Sequence, residues 1–274
     1  MQKRPFQPSR DLKPFASAAV AAILTLGLLG CQTTVPSDIT ASLGDTADKS
    51  QAATSRRDVD LYRDRFRANP DDAEAALQYG KALRATGQRS QAVAVLEQAT
   101  IAHPGNKALL AGYGRALADN GNFQQAFDVL SQAHSPDDPD WRILSAQGAA
   151  LDQLGRFDEA RQYYASALRI APDEPTVLSN LGLSYVLSKE LPKAEEVLRR
   201  AHSRADSDPR VRANLAVVVG LQGRMTEAEG LMKAGLPPEQ AEANVAELKR
   251  LLSRTARAQR GVEKLPVASR ATPD

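Results

Sequence analysis

One period governs most of this sequence. Gly80, Gly114, Gly148 and Gly182 are spaced by 34 residues, and Ala216 takes the fifth place. Ala92, Ala126, Ala160, Ala194 and Ala228 keep the same step, as do Ala99, Ala133, Ala167 and Ala201 with Gly235 fifth. Large residues form two further columns: Leu83, Leu117, Leu151, Tyr185, Val219, and Leu96, Leu130, Tyr164, Leu198, Met232. A period of this size marks one supersecondary unit that cannot bury its apolar side alone, so neighbouring units stack into a continuous core. Aromatic residues are only 5% of the chain, and alanine is abundant, which favours closely packed helices over a sandwich or barrel. Gly87, Gly121, Gly155 and Gly223 mark a turn within each unit, with Lys189 in the fourth copy. Pro104 and Pro172 close two copies, since proline cannot continue a helix. The expected pairs start with 73–86 and 89–103, follow at the same spacing, and end with 208–222 and 225–235.

Small residues at the eighth, twentieth and twenty-seventh places, with large ones between, resemble the tetratricopeptide repeat (TPR). That resemblance implies an all-α, right-handed superhelical solenoid of five helix pairs. Small residues would let paired axes approach, and Leu, Tyr and Met would fill the gap between neighbouring units. Residues 56–69 place Leu61, Tyr62 and Phe66 at helical spacing before Pro70, as an N-terminal capping helix would. Pro237 and Pro238 introduce a last helix with Ala241, Val245, Leu248, Leu251 and Leu252 on one face, as a C-terminal solvating helix needs. The TPR domain is therefore expected over 56–253, followed by a disordered tail over 254–274.

The first thirty residues read as an address. Lys3, Arg4, Arg10 and Lys13 precede a mostly apolar run from Phe15 to Leu29, shorter than the roughly 20 residues a spanning helix needs. Leu28-Leu29-Gly30-Cys31 resembles the lipobox of bacterial lipoproteins. In that family the cysteine thiol receives a diacylglyceryl group, the peptide is cut before it, and the new amino group is usually acylated too. Residues 1–30 would then be a lipoprotein signal peptide and Cys31 the lipidation site. The alternatives are an ordinary signal peptide with a chance cysteine, or a short membrane anchor. Two or three acyl chains hold a protein on a membrane where a single chain holds it only marginally. Gln32, where many inner-membrane lipoproteins have Asp, favours the periplasmic face of the outer membrane. Residues 31–55 read as a flexible tether, spanning roughly 25–30 Å as a random coil.

Charge and cysteine usage exclude several functions. The formal net charge is +2, but without the first thirty residues the remainder has one more acidic than basic side chain. A near-neutral body without basic blocks argues against nucleic-acid tracking. Cys31 is the sole cysteine, so no internal disulfide and no multi-cysteine metal site can form. His103, His134 and His202 read as turn histidines rather than a metal set. Gly112-Tyr113-Gly114 resembles the start of a dinucleotide loop but lacks a third glycine and lies within a repeat helix. No catalytic set is apparent, so the chain is expected to be no enzyme and to need no cofactor beyond the lipid on Cys31. The rival of that class, a periplasmic hydrolase with a hidden site, would need clustered ionisable residues in a pocket.

What remains is surface. In a TPR solenoid the first helix of each pair lines the concave side. By place in the repeat, that groove would carry Gln78, Lys81, Arg84, Arg115, Arg142, Asn180, Leu183, Arg210, Asn214 and Val217. Its first half is cationic. Asn180 and Asn214, at equivalent places, could bond both N–H and C=O of an extended peptide. The competing reading makes these ordinary exposed side chains and gives partners the convex face or the terminal helix.

The closing stretch narrows the family. Asn180-Leu181-Gly182-Leu183-Ser184-Tyr185, then Val211-Arg212-Ala213-Asn214-Leu215-Ala216, Gly220-Leu221-Gln222-Gly223-Arg224, Ala228-Glu229, Leu236-Pro237-Pro238-Glu239-Gln240 and Asn244, together with the lipobox, resemble the TadD family. These are TPR lipoproteins of tight-adherence (Flp) pilus systems. The resemblance implies an outer-membrane, periplasm-facing assembly factor with a pilotin-like role toward the secretin or another pilus-assembly component. The alternative within the same class is a lipoprotein adaptor for another envelope machine or for cell-wall enzymes.

Overall fold

A computed structural model describes residues 49–205 and 208–263, with side chains described over 57–205 and 208–254. The signal segment, Cys31, most of the expected tether and the end of the tail lie outside the described residues. Among the described residues there are twelve helices and no named strand. They are α1 (Lys49–Ala68), α2 (Ala73–Ala85), α3 (Arg89–Ala102), α4 (Lys107–Asp119), α5 (Phe123–Gln132) and α6 (Trp141–Gln153). Then follow α7 (Phe157–Ile170), α8 (Pro175–Leu187), α9 (Leu191–Arg204), α10 (Pro209–Leu221), α11 (Met225–Lys233) and α12 (Pro238–Glu263). Helices α2 to α11 form five pairs, with α1 before them and α12 after them.

The two columns of large and small residues meet inside each pair. A Cβ on Gly80 would stand 2.5 Å from Leu96, one on Gly114 2.6 Å from Leu130, one on Gly148 2.8 Å from Tyr164, and one on Gly182 2.5 Å from Leu198. Each glycine therefore gives up its side chain to the large residue of its own second helix. These Leu and Tyr residues thus fill space inside each pair, and Leu96 also reaches the next unit, where a Cβ on Gly112 would stand 3.5 Å from it. The alanines at the twentieth place, Ala92 to Ala228, are fully buried in all five copies.

A second column fixes where each pair begins. Asp72, Asn106, Asp140, Glu174 and Asp208 are the N-caps of α2, α4, α6, α8 and α10. Each accepts the backbone N–H two residues on, from Glu74 at 2.9 Å, Ala108 at 3.1 Å, Arg142 at 2.7 Å, Thr176 at 3.4 Å and Arg210 at 2.8 Å. Such caps satisfy donors that the first helical turn leaves unpaired. The turn inside each pair is left-handed, at φ 74° to 88° for Gly87, Gly121, Gly155 and Gly223. Lys189 adopts φ 65° in the fourth copy without the freedom of glycine.

Before the last helix, the structure departs from the expected boundaries at three places. The capping helix α1 begins at Lys49, inside the stretch read as tether, because Lys49 to Ala68 contains no glycine or proline to stop it. Its buried contacts come from Val59 and from Phe66, which stacks on Tyr79 at 5.8 Å; Leu61 is exposed. Helix α5 ends at Gln132, ahead of Pro136 and Pro139, and a single bridge between Ser135 and Asp138 closes the turn. Helix α11 ends at Lys233, so Gly235 serves as a left-handed turn residue at φ 71° rather than as a packing position.

Helix α12 covers the last pair. Ala241, Val245 and Leu248 are buried, with Leu251 and Leu252 packed at the edge. Gly220 makes room for it, since a Cβ there would stand 2.6 Å from Leu252. The helix continues to Glu263, past the expected domain end at 253.

Candidate partner-binding face

The first helices of successive pairs touch one another, so their repeat positions form one continuous face. Lys81 and Arg142 stand exposed there, with Gln78 half-buried and bonded to Glu74 at 2.5 Å. Arg84 donates from Nε to Asp119 at 2.6 Å across to the next pair. The Arg142 guanidinium lies over the Trp141 ring, 4.5 Å from its centroid. Arg115, at the ninth place of the second pair, lies half-buried between them. Burial first, and then the positive charges of Arg84 and Arg142, lower its pKa, while Asp140 and Asp119 pull the other way.

The second half of this face differs from expectation. Asn214 is 5% and Val217 4% exposed. Val217 belongs to the core that α12 helps close and Asn214 is buried against the preceding first helix, so neither is open to a ligand. Asn214 donates from Nδ2 to Ser179 Oγ at 2.8 Å, and Asn180 does the same to Ser145 Oγ at 3.0 Å. The two asparagines, read as a peptide clamp, instead join one first helix to the next. Leu183 is half-buried, and Arg210 is exposed beside its cap Asp208.

One polar cluster has no counterpart in the expected set. Asp152 ends α6 buried at 6% exposure. Its carboxylate accepts the Tyr164 hydroxyl at 2.8 Å and the Ser184 hydroxyl at 2.6 Å, tying three helices of two pairs together. Burial pushes the Asp152 carboxyl up to about 6, against the two hydroxyls and Arg161, which favour the ionised form. The same burial raises the Tyr164 hydroxyl well above its ordinary value. The signal in the sequence was the column itself: its other members are Arg84, Ala118, Val186 and Gly220, so a carboxylate there stood alone.

The histidines have structural partners. His103 Nε2 bonds the Asp71 carbonyl at 2.8 Å, and His134 Nε2 bonds Gln147 at 3.0 Å, which in turn donates to Ser131. Gly112-Tyr113-Gly114 lies in mid-helix, where a Cβ on Gly112 would meet Leu77 at 2.7 Å. Among the described residues no three His, Cys, Asp or Glu side chains are grouped to hold a metal ion.

The repeat is matched directly by a family model. The tetratricopeptide-repeat model matches residues 84–148, 117–182 and 151–218, three overlapping windows displaced by about one unit. The chain carries tetratricopeptide repeats over these residues. Solved TPR structures share its solenoid fold. A thermophilic TPR protein of Thermus thermophilus aligns with a TM-score of 0.58 at 22% identity, over 65% of this chain and 98% of that one. PilW, described as a widely conserved type IV pilus biogenesis factor, aligns with a TM-score of 0.58 at 18% identity, over 75% of this chain and 96% of that one. A chain of the Cut9–Hcn1 assembly of the APC/C aligns with a TM-score of 0.58 at 18% identity, over 80% of this chain and 42% of that one. At these identities the likeness is one of fold. No curated protein matches the sequence. TPR domains bind protein partners, and five stacked helix pairs offer them an extended surface.

Proposed function

We propose that this TPR protein is a lipid-anchored scaffold that binds and localises a component of a Flp-type pilus assembly system, with the secretin as the leading partner. Acylation of Cys31 would tether the solenoid to the periplasmic face of the outer membrane. Confinement to that layer raises its effective concentration toward membrane-bound partners without any new contact. The observation that carries the reading is the order of elements in the sequence: a basic start, an apolar run, Leu28-Leu29-Gly30-Cys31, and then a TPR solenoid whose last two pairs resemble the TadD family. The likeness to PilW runs in the same direction, as a fold shared with a pilus biogenesis factor. The face of the first helices offers the partner Lys81, Arg84, Arg115 and Arg142 in one half and Leu183 with Arg210 in the other.

Two measurements test this. Cys31→Ser should leave the helical content of the folded domain unchanged and move the protein from the membrane to the soluble fraction. Fatty-acid label incorporated equally by the Ser variant and the wild type refutes lipidation at Cys31. Affinity capture of the tagged full chain from envelope extracts should retain the secretin or another pilus component; recovery of cell-wall enzymes instead supports the adaptor reading.

A further inference from the structure

The reading of the first-helix face as a protein-binding surface, on which this inference rests, leaves the chemistry of the partner open. Three arginines narrow it. Arg115 and Asp119 lie four residues apart on α4 and so share one side of that helix. Arg84 of the preceding pair reaches the same side, where it binds Asp119 at 2.6 Å. Arg142 opens α6 of the following pair, beside Asp140. Three consecutive pairs thus send one guanidinium each to the same place, close enough that Arg84 and Arg142 both disfavour the charge on Arg115.

The carboxylates nearby are already engaged. Asp119 is held by Arg84, and Asp140 accepts the Arg142 backbone N–H at 2.7 Å while its nearest approach to the Arg142 guanidinium is 3.9 Å. Among the described residues, Arg115 makes neither an ion pair nor a side-chain hydrogen bond. A half-buried guanidinium carries five donors in a fixed fork and no acceptor of its own. Burial and two like charges outweigh the attraction of Asp140 and Asp119 at Arg115, and a carboxylate arriving at the fork would offset that cost. The Arg142 guanidinium lies over the Trp141 ring, a contact that limits its freedom. Lys81, exposed on the first pair, extends the positive strip along the face.

The surroundings favour spaced single charges over dense ones. Asp119 and Asp140 flank the arginines, and Asp137 and Asp138 stand exposed in the adjoining turn. They repel a phosphate-rich polymer or an anionic membrane sheet, whereas an extended chain can thread one carboxylate between them. We propose that Arg84, Arg115 and Arg142 form a receptor for carboxylate side chains on an extended acidic segment of the partner protein.

The test uses the full chain and two fluorescein-labelled peptides, one alternating Glu with Ser and the other alternating Gln with Ser, followed by fluorescence anisotropy. The Glu peptide should bind more tightly than the Gln peptide, and its affinity should fall as salt rises. Arg115→Ala should weaken it about tenfold or more, the usual effect of losing one charge-assisted hydrogen-bonded contact. Arg115→Lys should recover part of the loss, and Arg169→Ala, remote from the strip, should have no effect. Circular dichroism checks that each variant remains helical. Equal binding of the two peptides, or an Arg115→Ala variant that binds like wild type, overturns the proposal. So does binding to phosphatidylglycerol vesicles, or competition by millimolar inorganic phosphate, that depends on Arg115 while the Glu peptide does not bind. If Arg115→Ala still captures a pilus component from envelope extracts as wild type does, the arginine receptor falls and the scaffold reading stands. If wild type captures none while the Glu peptide binds through Arg115, the scaffold reading falls instead.

Discussion

Replacing Asp152 by Asn should stabilise this protein at neutral pH and do little at pH 4.5. The side chain is buried, and its carboxyl is pushed from 3.8 up to about 6. An acid whose pKa is higher in the folded state binds its proton more readily there. Its ionised form therefore opposes folding above pH 6, and this opposition fades as pH falls from 6 toward 3.8. Two pKa units correspond to about 3 kcal/mol between the two limits. Asparagine keeps the shape and can accept from one hydroxyl while its amide donates to the other, since Tyr164 and Ser184 present oxygens that both give and take hydrogen bonds. The gain should be about 1–3 kcal/mol at pH 7.5, allowing for weaker bonds to a neutral amide. Urea denaturation followed by circular dichroism at pH 4.5, 6.0 and 7.5 measures it for both proteins. A variant less stable than wild type at pH 7.5, or a gain of equal size at pH 4.5, refutes the reasoning. Wild-type stability that shows no contribution rising between pH 7.5 and 5 after the other carboxylates are accounted for does the same.

Other perturbations probe the packing. Gly182→Ala should cost about 1–3 kcal/mol, because the new methyl meets Leu198 at 2.5 Å in a filled core. Adding Leu198→Met should recover part of that loss, as the fifth pair already combines Ala216 with Met232; thermal denaturation of the double-mutant cycle reads the coupling, and strict additivity would contradict it. Lys189→Gly should raise the unfolding free energy by about 0.5–1 kcal/mol, since glycine removes the left-handed strain at φ 65° at some entropic cost in the unfolded chain. Asn214→Ala should lower stability by about 1–2 kcal/mol, leaving the buried Ser179 hydroxyl without its donor, and should leave partner affinity nearly unchanged; a selective loss of binding would restore the asparagine clamp.

Much of the fold was legible because a solenoid packs only neighbour on neighbour. Each column of the repeat meets the same surroundings in every copy, so Gly80 and Leu96 leave the same trace as Gly182 and Leu198. The ends were less legible because they have no copy to compare with. Nothing in Lys49-Ser50-Gln51-Ala52 distinguishes a polar tether from the start of a polar helix, and the residues that hold that helix, Val59 and Phe66, come later in it. The first-helix positions do line up along one face, yet the pattern alone misplaces Asn180 and Asn214. A polar residue at such a position reads as solvated, and the acceptor sits 35 residues earlier, at Ser145 and Ser179. The same blind spot hid Asp152, whose partners lie in two other helices. Arg84, Arg115 and Arg142 fell into the cationic half by position, but only the third dimension brought them together.

The asparagine seam also ranks the joints of the solenoid. Between the third, fourth and fifth pairs, Asn180 and Asn214 bond the preceding first helix through neutral groups. At the equivalent places of the first three pairs stand Leu77 against Gly112, and Ala111 with Ala146. The directional links there come from other positions, Arg84 to Asp119 between the first two pairs and His134 with Gln147 between the next two. Neutral hydrogen bonds are indifferent to ionic strength, whereas a partly exposed ion pair is screened by it. The joint that Arg84 and Asp119 share should therefore be the one that loosens first in concentrated electrolyte.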